Sequence, residues 1–86
     1  MSESLPPVNF SQFVVSLASS ALVHLGETPE PGSDETRTDL PLAKHSIDLL
    51  SMLKEKTSGN LDEEESKLLD AVLQDLQSKH TAKLGS

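Results

Sequence analysis

The sequence contains no cysteine, no tryptophan and no tyrosine, and its two phenylalanines are its only aromatic residues. Without cysteine the chain forms no disulfide, no thiolate metal site and no thiol nucleophile. With so few aromatic rings, the core must be built from Leu, Val, Ile, Ala and Met. A chain of 86 residues has room for one domain, and a core of this size rarely supplies more than about 3–5 kcal/mol. Association with another chain is a common remedy.

Basic residues and long hydrophobic runs are also scarce. Seven Lys and Arg residues face fourteen Asp and Glu residues, for a net charge of −7. Binding to nucleic acid or to anionic lipid needs clustered basic residues, so we expect neither partner. The amino end has no basic segment, and the longest apolar stretch falls short of the roughly 20 residues that span a bilayer. We therefore expect an acidic cytoplasmic protein with neither signal peptide nor membrane span.

That longest apolar stretch, residues 10–25, predicts the first helix. Asn9 is a suitable N-cap, Gln12 completes a capping-box pattern, and Gly26 stands where a left-handed glycine ends a helix. At about 100° per residue, nine apolar side chains fall on an arc of roughly 200°. They are Phe10, Phe13, Val14, Val15, Leu17, Ala18, Ala21, Leu22 and Leu25. The other face has no Asp, Glu, Lys or Arg, so we expect protein to surround this helix almost completely.

Two further helices follow the same rules of capping and periodicity. Asp39 is the expected cap of a second helix that runs from residue 40 to about 57, with Gly59 as its stop. Asp62 and Glu65 predict a capping box for a third helix that ends at about His80. The pairs Glu63–Lys67 and Asp75–Lys79 have the favourable i,i+4 order and mark the solvated side of that helix.

The predicted fold class is all-α, a three-helix domain with a long first helix and an antiparallel helical hairpin. Residues 1–8, with two consecutive prolines, read as a disordered lead-in, and residues 81–86 as a frayed tail. The single helical domain then covers residues 9–80, with a flexible acidic loop at 26–39. Because two helices cannot cover the wide apolar arc, we expect two copies to assemble as a helical-bundle dimer.

Several stretches of the chain together form a specific pattern. They are SLASSALVHLGE at 16–27, DLPLA at 39–43, IDLL at 47–50 and EKTSGNL at 55–61, together with residues 9–11, 63–65 and 68–69. This set resembles the bacterial domain-of-unknown-function family 1844. The resemblance covers residues 9–77 and departs from the family at 77–81, where a more basic and aromatic ending is typical. It implies a short helical bacterial protein, and it brings no catalytic residue, cofactor or ligand.

Three patterns have some features of a chemical site, but each favours a structural interpretation. Ser20 and His24 share a helix face, but a uniform helix leaves no free backbone N–H groups for an oxyanion hole. The three histidines His24, His45 and His80 lack the spacing of a metal signature. The run at Ser46 resembles the attachment serine of acyl carrier proteins, but a histidine precedes it instead of an acid.

The sequence thus predicts a non-enzymatic, self-associating interaction or assembly module without catalytic residues, cofactor or metal. The expected partners are a second copy, giving a dimer, and an unidentified protein. The predicted self-association face comprises Phe10, Phe13, Val14, Leu17, Ala18, Ala21, Leu22 and Leu25. The alternative is a small-molecule or metal site formed between protomers near His24, with Ser20 as a further polar group.

Overall fold

The computed structural model describes residues 9–85 and contains three α-helices. These are α1 (Phe10–His24), α2 (Leu40–Lys56) and α3 (Glu63–Leu84). No β-strand occurs within the described residues, where Leu25 and Thr38 form an isolated antiparallel bridge. The predicted all-α class with three helices is confirmed, while residues 1–8, the predicted lead-in, lie outside the described part.

Local capping explains where α1 begins and ends. As predicted, Asn9 is the N-cap, and its side chain accepts a hydrogen bond from the Gln12 backbone N–H at 2.8 Å. The Gln12 side chain does not accept from the Asn9 N–H in the described residues, so the predicted capping box is only half formed. At the other end Gly26 adopts a positive φ of 78°. The Gly26 N–H donates to the Val23 carbonyl at 3.0 Å, and the Glu27 N–H to the Leu22 carbonyl at 2.9 Å. This pair of bonds is a Schellman motif, which uses the last free carbonyl groups of the helix.

The N-termini of α2 and α3 also follow from side chains close by in sequence. Asp39 accepts from the Leu42 N–H at 3.1 Å, and Pro41 occupies the first turn, where its missing N–H costs nothing. Asp62 accepts from the Glu65 N–H at 2.8 Å, while the Glu65 carboxylate accepts from the Asp62 N–H at 3.0 Å. The predicted capping box of α3 is therefore confirmed.

The far end of α3 differs from the sequence prediction. The helix continues to Leu84, whereas we expected it to end at about His80 and the following residues to fray. Lys83 lies 3.7 Å from the Glu27 carboxylate, so the last turn is joined to the loop that follows α1. This contact between residues far apart in the chain is not visible to helix periodicity.

Nine apolar side chains form the core, and each helix packs against the other two. They are Val14, Ala21, Leu25, Ala43, Ile47, Leu50, Leu69, Leu73 and Leu76. The molecule is flat, with Cα extents of 38 × 37 × 17 Å. Because the axes of packed helices lie about 8–10 Å apart, a Cα extent of 17 Å holds no more than two layers of helices, and no helix is enclosed on all sides. The flat shape leaves one side of α1 uncovered.

The long connection between α1 and α2 is tied at its two ends. The Asp39 N–H donates to the His24 carbonyl at 2.7 Å, next to the bridge between Leu25 and Thr38. Residues 31–38 between these points are all exposed. The loop therefore starts and finishes at one place and extends into solvent, and its predicted flexibility stays a prediction.

Candidate interaction surface

The uncovered side of α1 has an unusual composition for a surface helix. We call it the α1 outer face and define it by six exposed residues: Gln12, Phe13, Val15, Ser16, Ser19 and Ser20. Phe13 and Val15 are each 50% exposed. A surface helix normally presents charged residues to water, but α1 contains no Asp, Glu, Lys or Arg. This face therefore combines two half-exposed apolar side chains with neutral polar ones.

The exposed sides of the other two helices are charged, as an ordinary surface requires. On α2 Lys44 pairs with Asp48 at 2.9 Å. On α3 Lys67 pairs with Glu63 at 3.4 Å, and Lys79 with Asp75 at 2.6 Å, as the i,i+4 spacing predicts. Such exposed pairs contribute little to stability, and they mark these helix sides as solvated surface. The contrast singles out the α1 outer face among the three helix surfaces.

The eight residues of the predicted self-association face fall into three groups in the structure. Val14, Ala21 and Leu25 are fully buried. Phe10, Leu17, Ala18 and Leu22 are partly buried and pack against the core. Phe13 alone is exposed.

Part of that predicted face therefore needs correction. The three fully buried residues, Val14, Ala21 and Leu25, contact the chain's own core and are closed to a second copy while the fold is intact. The reason is that α2 and α3 pack on the middle of the apolar arc and leave its two edges, Phe13 and Val15, exposed. The accessible part of α1 therefore consists of the two edges of the apolar arc and the serine-containing face between them, and it excludes the centre of the arc.

Sequence reasoning placed Val15 on the apolar arc but not among the interface residues. The angular positions of the side chains around the helix could have identified it, because Val15 and Phe13 lie at opposite ends of the roughly 200° arc. The end positions of a wide arc are the first to remain exposed when neighbours cover its centre. Ser16 and Ser19 lie on the face of α1 opposite the apolar arc, and the structure places both in the exposed surface.

The Ser20 and His24 pair is not assembled as a catalytic site. Ser20 is exposed, His24 is partly buried, and within residues 9–85 no hydrogen bond joins their side chains. Ser20 lies inside a continuous helix, where backbone N–H groups bond to carbonyl groups one turn earlier. An oxyanion would thus find no free backbone donor at this serine.

His24 instead lies beside a shallow cleft between the end of α1, the long loop and the start of α2. The cleft is lined by Val23, His24, Glu30, Pro31, Arg37, Asp39 and Leu42. Arg37 lies 3.8 Å from the Glu30 carboxylate, so the two opposite charges in the cleft face one another. In the described part of the chain, no three His, Asp or Glu side chains are grouped so as to hold a metal ion.

The remaining sequence motifs occupy positions that favour a structural role. Ser46 is 7% exposed in the middle of α2, whereas an attachment serine must be open to a modifying enzyme. His45 is exposed on α2, and His80 is partly buried on α3. Between residues 9 and 85, none of the helices has the combined length and hydrophobicity needed to cross a lipid bilayer.

These features define a small all-α protein of three helices around one leucine-rich core. The sequence profile of the family described as Domain of unknown function (DUF1844) matches residues 7–82, and the chain therefore belongs to that family. The predicted resemblance is confirmed. No curated protein and no solved structure matches the chain significantly.

Proposed function

We propose that this protein is a non-enzymatic interaction module that self-associates as a dimer through the α1 outer face. The observation that carries the proposal is the uncharged, partly apolar surface of α1 on a chain with a net charge of −7. Two acidic copies repel one another, and surfaces that carry carboxylates oppose their approach. On the α1 outer face two copies meet without opposed carboxylates, and contact removes Phe13 and Val15 from water.

The size of this surface sets the expected affinity. With 15 residues at about 1.5 Å each, α1 is roughly 22 Å long. Two helices of this length bury less than the roughly 800 Å² per partner of a standard interface. We therefore expect a dimer that dissociates at concentrations on the order of micromolar. The exposed acidic loop at 26–39 offers a separate surface for a further protein partner. The family resemblance favours a bacterial source.

Light scattering across a concentration series tests the proposal, with Val15→Glu as the disrupting variant. Burying the exposed half of Val15 is worth about 1 kcal/mol in each protomer, or about 2 kcal/mol per dimer. Its loss alone weakens the dimer about 30-fold, and the two introduced carboxylates add repulsion. We expect the wild type to approach twice the chain mass at high concentration, while Val15→Glu remains a monomer.

Met52→Glu is the matched control, because Met52 is 46% exposed on α2, close to the 50% of Val15. It adds the same charge to a different surface and leaves the mass of the dimer unchanged. Helical circular dichroism must be retained in both variants. A wild type that stays at the single-chain mass, or equal effects of the two substitutions, would contradict the proposal.

A second candidate function is a small-molecule or metal site formed between protomers near His24. The cleft beside His24 favours this candidate, because its lining includes one imidazole and two carboxylates, from His24, Glu30 and Asp39. A second copy could supply the further ligands that a metal ion or a small molecule needs. Titration calorimetry with Zn²⁺ tests this candidate in three proteins: wild type, His24→Ala and Val15→Glu. Binding that both substitutions abolish supports a site shared between protomers, and absence of binding to the wild type removes the metal version.

A further inference from the structure

The two edges of the α1 outer face each pair one large apolar side chain with a serine. At about 100° per residue, Phe13 and Ser20 lie within about 20° of each other on one edge. Val15 and Ser19 lie within about 40° of each other on the opposite edge. On both edges the large side chain comes first along the helix and the serine follows. The middle of the face is occupied by small or neutral residues, Ser16 and Gln12.

This pattern distinguishes the two ways in which a second α1 can lie on the face. In an antiparallel pair, the two helices are related by a two-fold axis near Ser16. The edge that carries Phe13 then lies against the partner's Phe13 edge, and the Val15 edge lies against the partner's Val15 edge. The two edges in each contact run in opposite directions. Phe13 then faces the partner's Ser20, and Val15 faces the partner's Ser19. Large side chains meet small ones on both edges, so the two surfaces fill each other's gaps.

A parallel pair brings opposite edges together at the same height along the helices. Phe13 then faces the partner's Val15, and farther along the helix Ser20 faces the partner's Ser19. The large side chains hold the helices apart at one end, and the small ones leave a gap at the other. Gaps of this kind lose the van der Waals contacts on which close packing depends.

We propose that two copies of this chain associate with their α1 helices antiparallel, crossing near Ser16. The proposal rests on the proposed function, since it specifies the geometry of the same dimer. The occupant of the face is a second copy rather than another protein, because an uncharged surface on an acidic chain suits a partner of the same charge. The serines allow a close approach, and Gln12 lies level with the partner's Ser20, where amide and hydroxyl groups can hydrogen-bond.

The sequence has no cysteine, so single introduced thiols report the orientation without interference. In the antiparallel pair Gln12 lies level with the partner's Ser20, while the two copies of Gln12 are about 12 Å apart along the helix axes. A disulfide requires Cα atoms about 4.4–6.8 Å apart. An equal mixture of Gln12→Cys and Ser20→Cys proteins is oxidised, and each variant is also oxidised alone. The products are separated by non-reducing electrophoresis, with a mass tag distinguishing the variants.

We expect the mixed disulfide to exceed either self-linked product at least tenfold. Ser16→Cys, near the axis, links to itself in either orientation and shows that two α1 helices are in contact. Ser78→Cys, exposed on α3, is the matched control that should not link at the same concentration. Self-linking of Gln12→Cys, which lies near the middle of the face, with little mixed product would overturn the antiparallel arrangement and leave the dimer standing. A dimeric mass without linking at Ser16→Cys would overturn the use of this face, and a monomeric mass would overturn the proposed function.

Discussion

Replacing Gly26 by Ala tests the junction between α1 and the long loop. Gly26 has a φ of 78°, in the left-handed region that L-amino acids with a Cβ rarely adopt. A Cβ built on Gly26 would lie 2.5 Å from the Thr38 hydroxyl oxygen, well inside van der Waals contact. Gly59 has a similar φ of 86°, but its Cβ would meet nothing within 4 Å. An alanine at either position would therefore have the same backbone strain, and only an alanine at Gly26 would also clash with Thr38.

The size of the effect follows from these two contributions. An alanine in the left-handed conformation costs about 1–2 kcal/mol, and this applies to Gly26→Ala and to Gly59→Ala. At Gly26 the Thr38 side chain must also leave its position, which costs a further 0.5–1.5 kcal/mol or so. Gly26→Ala should therefore destabilise the fold by about 2–3 kcal/mol. This is a large part of the roughly 3–5 kcal/mol that a core of this size supplies.

Urea unfolding followed by circular dichroism measures the four proteins involved: wild type, Gly26→Ala, Gly59→Ala and the double variant Gly26→Ala with Thr38→Ala. The double variant removes the hydroxyl and should recover the steric part, leaving a loss similar to that of Gly59→Ala. Equal losses for the two single glycine variants, or no recovery in the double variant, would show that Thr38 does not approach Gly26 as closely as the structure has it.

Two further changes probe the capping box and the core. Asp62→Ala removes the cap of α3 and should cost about 1 kcal/mol in urea unfolding, whereas Glu64→Ala, which leaves the capping box intact, should cost less. Leu50→Ala empties a fully buried position and should cost about 2–5 kcal/mol, enough to lose most of the helical circular dichroism at 37 °C. Leu50→Met, which keeps the volume, should cost less than about 1.5 kcal/mol. Equal stability of the two Leu50 variants would contradict its placement in the core.

The ends of the helices were predictable because capping acts over two or three residues. Asn9 with Gln12, and Asp62 with Glu65, satisfy the free N–H groups of their own helices, and no distant part of the chain is needed. Gly26 ends α1 for an equally local reason, its left-handed backbone. The carboxyl end of α3 was predicted too short. Its last turn contacts Glu27, which lies more than fifty residues earlier, and local rules do not include a contact of this kind.

The sequence was enough to predict which helix carries the candidate surface, but not which residues of that helix are exposed. The absence of charge from α1 and the width of its apolar arc are properties of the sequence, and they predict that this helix carries the candidate surface. Which part of the arc stays exposed depends on where α2 and α3 cross α1. That crossing buries Val14 and Ala21 and leaves Phe13 and Val15 in water.

The sequence by itself determined the all-α class, the starts of the three helices and the uncharged character of α1, because capping and periodicity are local. Only the tertiary structure decided which apolar residues form the core and which remain at the surface. The hydrogen bond from the Asp39 N–H to the His24 carbonyl is also a tertiary contact, and it brings the two ends of the long loop together. Burial depends on how elements distant in the chain pack together, and periodicity along a single helix carries no information about that packing.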